Sequence, residues 1–178
     1  MSDLRVHKTK YINETKRVSF KYDGKNYFGY EGDTLASALL ANGVHLIGRS
    51  FKYHRPRGIM SCGSEEPNAI CQISDKNDLT EPNVRATELE IYDGLEAFSQ
   101  NCWPNVKFDI GGINNLISPL IPAGFYYKTF MWPKSFWKKV YEPLIRMSAG
   151  LGKSPTEPDP DIYDHKYVCL LYTSPSPR

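Results

Sequence analysis

The sequence predicts an α+β fold: one small mixed domain, followed by a helical, aromatic-rich extension. Three observations support this prediction. A hairpin pattern surrounds Asp23-Gly24, a short amphipathic helix begins near Asp33, and alternating residues predict two further strands between positions 69 and 92. The chain has 178 residues, of which 40% are hydrophobic and 13% aromatic, so it has enough apolar surface to form a core.

Residues 1–17 are polar and lack the apolar stretch of a secretory signal, so we interpret them as a polar leader on a cytoplasmic protein. Alternating apolar and polar residues predict a first strand over 18–22. Asp23 and Gly24 then suit a type I′ turn, because both tolerate positive φ, and a second strand is expected over 25–30. No run of about 18 apolar residues exists, so no membrane span is expected.

The helix is predicted directly after the hairpin. Asp33 or Thr34 can accept hydrogen bonds from its unpaired first amides, and the apolar residues that follow recur at helical spacing. Gly43 is expected to end the helix in the left-handed conformation. The result is a helix of about two to three turns that packs on the hairpin.

A long irregular loop follows over residues 46–69. It contains three glycines and two prolines, and such a loop inside a compact domain is usually functional. Strands are predicted over 69–73 and 84–92, where apolar and polar residues alternate. The order hairpin, helix, loop, strand, strand is that of a β-grasp domain, which we assign to residues 18–100. Plant-type iron–sulfur domains have this fold and hold their cluster in the loop after the helix.

The loop does not have the cysteines of such a cluster. Four thiolates must converge on two irons, and the first three have the spacing Cys-x4-Cys-x2-Cys. If Cys62 is the first, the next two positions are Pro67 and Ile70, which cannot ligate iron, and Cys71 is one residue late. We therefore predict a 2Fe-2S ferredoxin-like domain from which the cluster is absent, with no metal site and no catalytic residue.

Charge is unevenly distributed along the chain. Residues 1–60 carry 11 Lys and Arg against 5 Asp and Glu, whereas residues 61–100 carry 2 against 9. A contact to a phosphate, such as that of a flavin, is one interpretation of the loop cations: Arg49, His54, Arg55 and Arg57. The alternative is an internal network with nearby carboxylates: Glu65, Glu66, Asp75 and Asp78. No motif that reads nucleic acid accompanies the cations, so nucleic acid is not an expected partner.

Residues 101–152 are predicted to form a helical connector. An apolar stripe over 136–145 indicates a helix that begins near Pro133, bends at Pro143 and is ended by Gly150 and Gly152. The stripe consists of Phe136, Trp137, Val140, Tyr141, Leu144 and Ile145. Such a stripe is typical of a packing face, and we expect it to contact a domain or subunit outside this sequence.

Several long strings are distinctive, among them GRSFKYHRPRGIMSCGSEEPNAICQ from Gly48, ISPLIPAGFYYKTFMWPKSFWKKVYEPLIRMSAGLG from Ile117 and EPDPDIYDHKY from Glu157. They resemble the N-terminus of the alpha subunit of heterotetrameric sarcosine oxidases, and the resemblance covers about residues 18–168. It implies that 153–168 is a linker to a dinucleotide-binding domain that is missing here. The last residues, 169–178, depart from the family and are interpreted as a non-native tail.

The resemblance implies a structural, positioning domain at the start of a flavoprotein subunit. The family's complex is an oxidoreductase that acts on the CH-NH group of a secondary amine: it converts sarcosine to glycine, forms peroxide and passes a one-carbon unit to tetrahydrofolate. The implied cofactors of the full complex are FAD, FMN, NAD and tetrahydrofolate. The implied partners are the beta, gamma and delta subunits and the C-terminal domains of the same chain.

The groups that handle substrate and cofactors would lie beyond Val168, so this fragment is predicted to be inactive alone. Two other functions stay open. One is an independent electron-transfer domain related to ferredoxins. The other is a binding module that uses the basic loop to hold polyanions, and its affinity would depend strongly on salt.

Overall fold

In the computed structural model, two antiparallel strands open the fold: β1 (Asn13–Tyr22) and β2 (Lys25–Glu31). The turn residues Asp23 and Gly24 have φ values of 47° and 74°, so the predicted hairpin is confirmed. The structure describes residues 4–5, 10–74, 80–120, 132–150, 152, 154–156, 158 and 162.

Strand β1 begins earlier than the alternating pattern predicts. Asn13 pairs with Glu31 at the far end of β2, and Lys16 forms an ion pair with the same glutamate. Residues 13–17, which the sequence analysis assigns to the polar leader, are therefore part of the hairpin. Their exposed polar side chains gave no alternation to detect, because pairing with β2 rather than burial fixes this part of the strand.

Helix α1 (Leu35–Ala41) follows the hairpin and packs its apolar face into the core. The Thr34 hydroxyl caps it by accepting from the Ser37 amide at 3.2 Å. Gly43 has a φ of 75°, which is the left-handed end predicted for this helix. The predicted helix and its two boundary signals are thus confirmed.

Five strands form one mixed sheet in the order β2-β1-β7-β5-β6, in which β1 and β7 are parallel and the other neighbours antiparallel. The three later strands are β5 (Ile70–Ser74), β6 (Thr80–Arg85) and β7 (Glu96–Ser99). A separate ladder within the long loop joins β3 (Gly48–Arg49) to β4 (Pro56–Arg57). This is the predicted ferredoxin-like β-grasp arrangement, with α1 covering the sheet.

The strand predicted over 84–92 is wrong. Strand β6 ends at Arg85, and the segment after it instead supplies backbone partners to α1. The amide of Leu35 donates to the Leu89 carbonyl and that of Ala36 to the Ala86 carbonyl, both at 2.8 Å. Because the first amides of a helix have no partner within the helix, this segment satisfies them and cannot continue as a strand. The sheet is completed by β7, which the alternation did not indicate.

The extension is helical where it is described. A turn of 3-10 helix (Ile110–Gly112) leads into α2 (Ile113–Leu116), and a continuous run later combines a 3-10 turn (Lys134–Phe136), a π-helical turn (Trp137–Tyr141) and α3 (Glu142–Ala149). The change from π to α geometry coincides with Pro143, which has no amide hydrogen to donate. Gly150 ends the run with a φ of 63°.

The apolar stripe of the extension is largely open to solvent. Phe136 is 49% exposed and Leu144 is 53% exposed. Their expected contact with another domain or subunit stays a prediction. The linker over 153–168 and the tail over 169–178 lie almost entirely outside the described residues. Among the helices that the structure describes, none is long and apolar enough to cross a membrane.

Candidate functional site

The long loop between α1 and β5 has two halves with opposite charge. We call residues 48–58 the basic arm and residues 60–69 the carboxylate loop. The basic arm carries β3 and β4, whose ladder pairs Gly48 with Arg57. The carboxylate loop leads directly into β5 and contains Glu66, whose side chain is buried.

Arg49 joins the basic arm to the connector. Its Nε donates to the Val106 carbonyl at 2.8 Å and its Nη2 to the Lys107 carbonyl at 3.0 Å. Nη1 donates to the His54 carbonyl within the arm at 3.2 Å. Three backbone oxygens therefore hold the planar guanidinium in one orientation.

His54 makes the second contact to the connector. Its Nδ1 lies 2.6 Å from Asp109 Oδ2, and the Asp109 side chain is only 1% exposed. Asp109 Oδ1 accepts from the amides of Trp103 and Gly111 at 3.0 and 3.1 Å. A side chain at Gly111 would collide with the imidazole, so the close approach requires glycine there.

Arg55 and Arg57 differ in their surroundings. Arg55 Nε donates to Asn115 Oδ1 at 2.8 Å, and its guanidinium lies 4.7 Å from the centroid of the Tyr53 ring. The side chain of Arg57 is exposed and forms no hydrogen bond or ion pair with any part of the chain that the structure describes. Three of the four candidate cations thus bind the connector, whereas the Arg57 side chain has no hydrogen-bond or ion-pair partner among the described residues.

The expected network between these cations and Glu66 is wrong. Glu66 Oε2 accepts from the amides of Met60 and Ser61 at 2.7 and 2.6 Å, and Oε1 accepts from those of Asn68 and Ala69 at 2.7 and 3.2 Å. Glu65 is exposed and has no ion pair with these cations in the part of the chain that the structure describes, and Asp75 and Asp78 lie outside that part. The Glu66 carboxylate is therefore satisfied by backbone amides of its own loop, not by the cations of the basic arm.

Burial and hydrogen bonding act in opposite directions on Glu66. Burial by itself raises the pKa of the carboxyl, because it penalises the charged form. The hydrogen bonds from the Ser61, Asn68, Met60 and Ala69 amides favour the carboxylate, and together they hold its pKa below the ordinary value. Glu66 is therefore a buried, charged group at neutral pH.

The thiols of the described residues do not converge on a metal site. Cys62 is exposed at the tip of the carboxylate loop, whereas Cys71 lies in β5 and is fully buried in the core. Burial raises the pKa of the Cys71 thiol to about 12, so it is not a thiolate. Throughout the described ranges, no group of three or more His, Cys, Asp or Glu side chains could hold a metal ion. The residues that the structure describes therefore do not fit an iron–sulfur cluster.

A cleft of about 270 Å³ lies between the two halves of the loop and the connector. Arg49, Phe51 and Arg57 line one side, and Asn68 and Asn101 lie among the residues that complete it. Asn101 donates to the Arg49 carbonyl at 2.8 Å. Its Oδ1 is a buried acceptor that has no hydrogen-bond partner within the described ranges. The cleft therefore places cations and amide groups together in a concave surface.

Comparison with known proteins is decisive about the family. The alpha subunit of sarcosine oxidase from Rhizobium meliloti (strain 1021) is 56% identical over 168 residues, which are 94% of this chain and 17% of that subunit. The chain belongs to the sarcosine oxidase alpha-subunit family. Two further alpha subunits, from Corynebacterium sp. strains U-96 and P-1, are 41% and 43% identical over 88 residues, or 48% of this chain. The chain spans about 17% of the first relative's length and about 9% of the other two.

Residues 15–102 also match the family model of the 2Fe-2S iron-sulfur cluster binding domain. The match covers the β-grasp domain, including both halves of the loop, although the ligand positions of this alpha-subunit sequence do not fit a cluster. Among solved structures, L-proline dehydrogenase from P. horikoshii overlaps 53% of this chain and 17% of its own, at 23% identity and a TM-score of 0.39. That overlap is too loose to support an argument.

Sequence reasoning identified the cations of the basic arm but missed the groups that bind them. Asp109 and Asn115 lie more than fifty residues downstream. No local pattern links them to the arm, since their partners are fixed by tertiary contact alone. Gly111 offered the one usable signal, because a glycine in an irregular segment often marks a close approach.

Proposed function

We propose that this chain is the ferredoxin-like part of the alpha subunit of a flavin-dependent sarcosine oxidase. The complex would oxidise sarcosine to glycine, acting on the CH-NH group of a secondary amine. Its cofactors would be FAD, FMN, NAD and tetrahydrofolate, and its partners the beta, gamma and delta subunits. The observation that carries the proposal is the 56% identity to the Rhizobium meliloti alpha subunit along 94% of the chain.

In this proposal the chain is structural and supplies no catalytic group. Support comes from the contacts of the basic arm, because Arg49, His54 and Arg55 are hydrogen-bonded to the connector. The arm would then fix the angle at which the connector leaves the β-grasp domain. Arg57 is the remaining candidate for a contact to a phosphate or flavin, since its donors are available beside the cleft.

A chimera tests the proposed function. The matching segment of the Rhizobium meliloti alpha subunit is replaced by residues 1–168 of this chain, and the product is expressed with its partner subunits. We expect assembly, flavin binding and sarcosine-dependent peroxide formation within several-fold of the parent. An assembled, flavin-loaded chimera that does not oxidise sarcosine would contradict the proposal. The isolated chain is expected to form no peroxide from sarcosine.

A second candidate is an independent electron-transfer domain. The family model of cluster-binding domains favours it, because the match includes the whole β-grasp domain. The positions of Cys62 and Cys71 argue against it, since one thiol is exposed and the other is buried in the core. Stoichiometric iron in the purified protein would support this candidate over the first.

A further inference from the structure

The Glu66 carboxylate lies at the centre of the loop that would hold a cluster in other domains of this fold. Its oxygens accept four backbone hydrogen bonds of 2.6 to 3.2 Å, and Ser61 Oγ lies 3.4 Å from Oε2. The residue is 1% exposed. A buried, charged side chain adds nothing to an apolar core, so the position of Glu66 needs another explanation.

Hydrogen-bond capacity explains why a carboxylate can stand there. An ionised carboxylate only accepts hydrogen bonds and has about four lone-pair directions. The four amides fill this capacity, which compensates for the loss of water around the charge. Successive amides that point into a loop form a concave anion site. In cluster-binding loops, hydrogen bonds from the protein reach the sulfurs of an anionic cluster.

The anion in this loop therefore comes from the chain itself. The amides of Met60 and Ser61 on one side, and of Asn68 and Ala69 on the other, converge on one side chain. Thr87 fastens the same loop to the segment after β6, because its hydroxyl donates to the Gly63 carbonyl at 2.8 Å. Neither Cys62 nor any other described thiol contacts Glu66.

We propose that the Glu66 carboxylate takes the place of the iron–sulfur cluster as the anion that organises residues 60–69, so that this loop keeps its shape in an iron-free, redox-inactive domain. The loop supplies Pro67 and Asn68 to the cleft beside the basic arm. Glu66 is thus a positioning residue for that cleft. The proposal does not depend on which amine the parent enzyme oxidises.

Glu66→Gln tests the role of the charge, with Glu65→Gln as the matched control on the exposed neighbouring residue. The amide nitrogen of glutamine cannot accept hydrogen bonds, so some of the four donors lose their partner. We expect the equilibrium constant for unfolding to rise on the order of 30- to 100-fold for E66Q. For E65Q we expect less than about threefold. An E66Q protein as stable as the wild type would overturn the proposal, and an E66Q chain that fails to fold when E65Q folds would support it.

The pH profile separates charge from packing. Because the pKa of Glu66 is lowered in the folded state, its stabilisation is present above the ordinary value of 4.5 and is lost as pH falls through the lowered pKa. The groups facing the carboxylate are four amides and one hydroxyl, none of which titrates in this range. The wild type should therefore lose more stability than E66Q on acidification. Equal acid sensitivity would contradict the role of the charge.

Iron uptake and hydrogen exchange in the wild-type chain complete the test. Anaerobic incubation with ferrous iron and sulfide should leave no stoichiometric iron after desalting and no visible charge-transfer absorption. The Met60, Ser61, Asn68 and Ala69 amides should exchange slowly although they lie in a loop, because each is bonded to the carboxylate. Two irons per chain, or four rapidly exchanging amides, would overturn the inference.

Discussion

The charged groups of the basic arm and of the carboxylate loop have hydrogen-bond partners at very different distances along the sequence. Arg49, His54 and Arg55 find partners 55 to 60 residues away in the connector. Glu66 finds its partners two to six residues away, in its own loop. The opposite charges lie in one loop but do not neutralise each other. The arm therefore couples two parts of the chain, whereas the carboxylate loop is self-contained.

This difference predicts which part of the structure each substitution disturbs. Loss of an arm contact should release the connector and leave the sheet intact. Loss of the Glu66 charge should disturb one loop and the wall of the cleft that it supplies.

Cys62 in the carboxylate loop and Cys71 in β5 should differ most in reactivity. At pH 8 a thiol with a pKa of about 12 is a thiolate on the order of one part in ten thousand. Cys71 is in addition buried away from the reagent, whereas Cys62 is exposed to it. We expect Cys62 to be alkylated at least about 1000-fold faster than Cys71, as measured by peptide mass spectrometry. Similar rates would mean that β5 is not packed as described. Cys62→Ser, which removes the fast site, is the control.

Among the changes in the basic arm, Arg49→Leu should lower the free energy of unfolding the most. The substitution leaves the carbonyls of Val106, Lys107 and His54 without their donor, so we expect a loss of about 2–3 kcal/mol in the free energy of unfolding. Urea denaturation measures this loss. Arg57→Leu is the matched control, since the described chain offers its side chain no partner, and it should change stability by less than about 0.5 kcal/mol. Equal losses of stability in the two variants would contradict the distinction between Arg49, which binds the connector, and Arg57, which does not.

Asp109→Asn should have an intermediate effect. The asparagine keeps one acceptor but loses the charge-assisted contact to His54, so we expect a loss of about 1–2 kcal/mol. Limited proteolysis should at the same time show faster cleavage in residues 103–115. The control is Glu81→Gln on exposed β6, with no change expected. A destabilised sheet with an unchanged connector would contradict the assigned coupling.

The contact between Arg55 and Asn115 should contribute least. Both side chains are exposed, so solvent weakens the hydrogen bond, and each alanine substitution should cost about 0.5 kcal/mol. A double-mutant cycle of Arg55→Ala and Asn115→Ala measures their coupling, which we expect to be a few tenths of a kcal/mol. A coupling above about 1.5 kcal/mol would place this pair with Arg49 among the main docking contacts.

Local chemistry made part of the fold predictable. The Asp23-Gly24 turn, the Thr34 cap and the Gly43 end of α1 each depend on neighbouring residues. The prediction of a strand over 84–92 was wrong because a distant element decides the structure of that segment. Its alternation was real, but the segment satisfies the first amides of α1, and that demand comes from an element fifty residues earlier.

The candidate site divides in the same way. Residue spacing was enough to show that the loop lacks the cysteine pattern of a cluster, because the positions expected after Cys62 hold Pro67 and Ile70. Composition was enough to show that cations concentrate in the basic arm. The partners of those charges became visible only in the folded chain. A charge in a sequence has many possible partners, and the choice depends on which carbonyls and amides the packed chain brings within 3 Å and away from water.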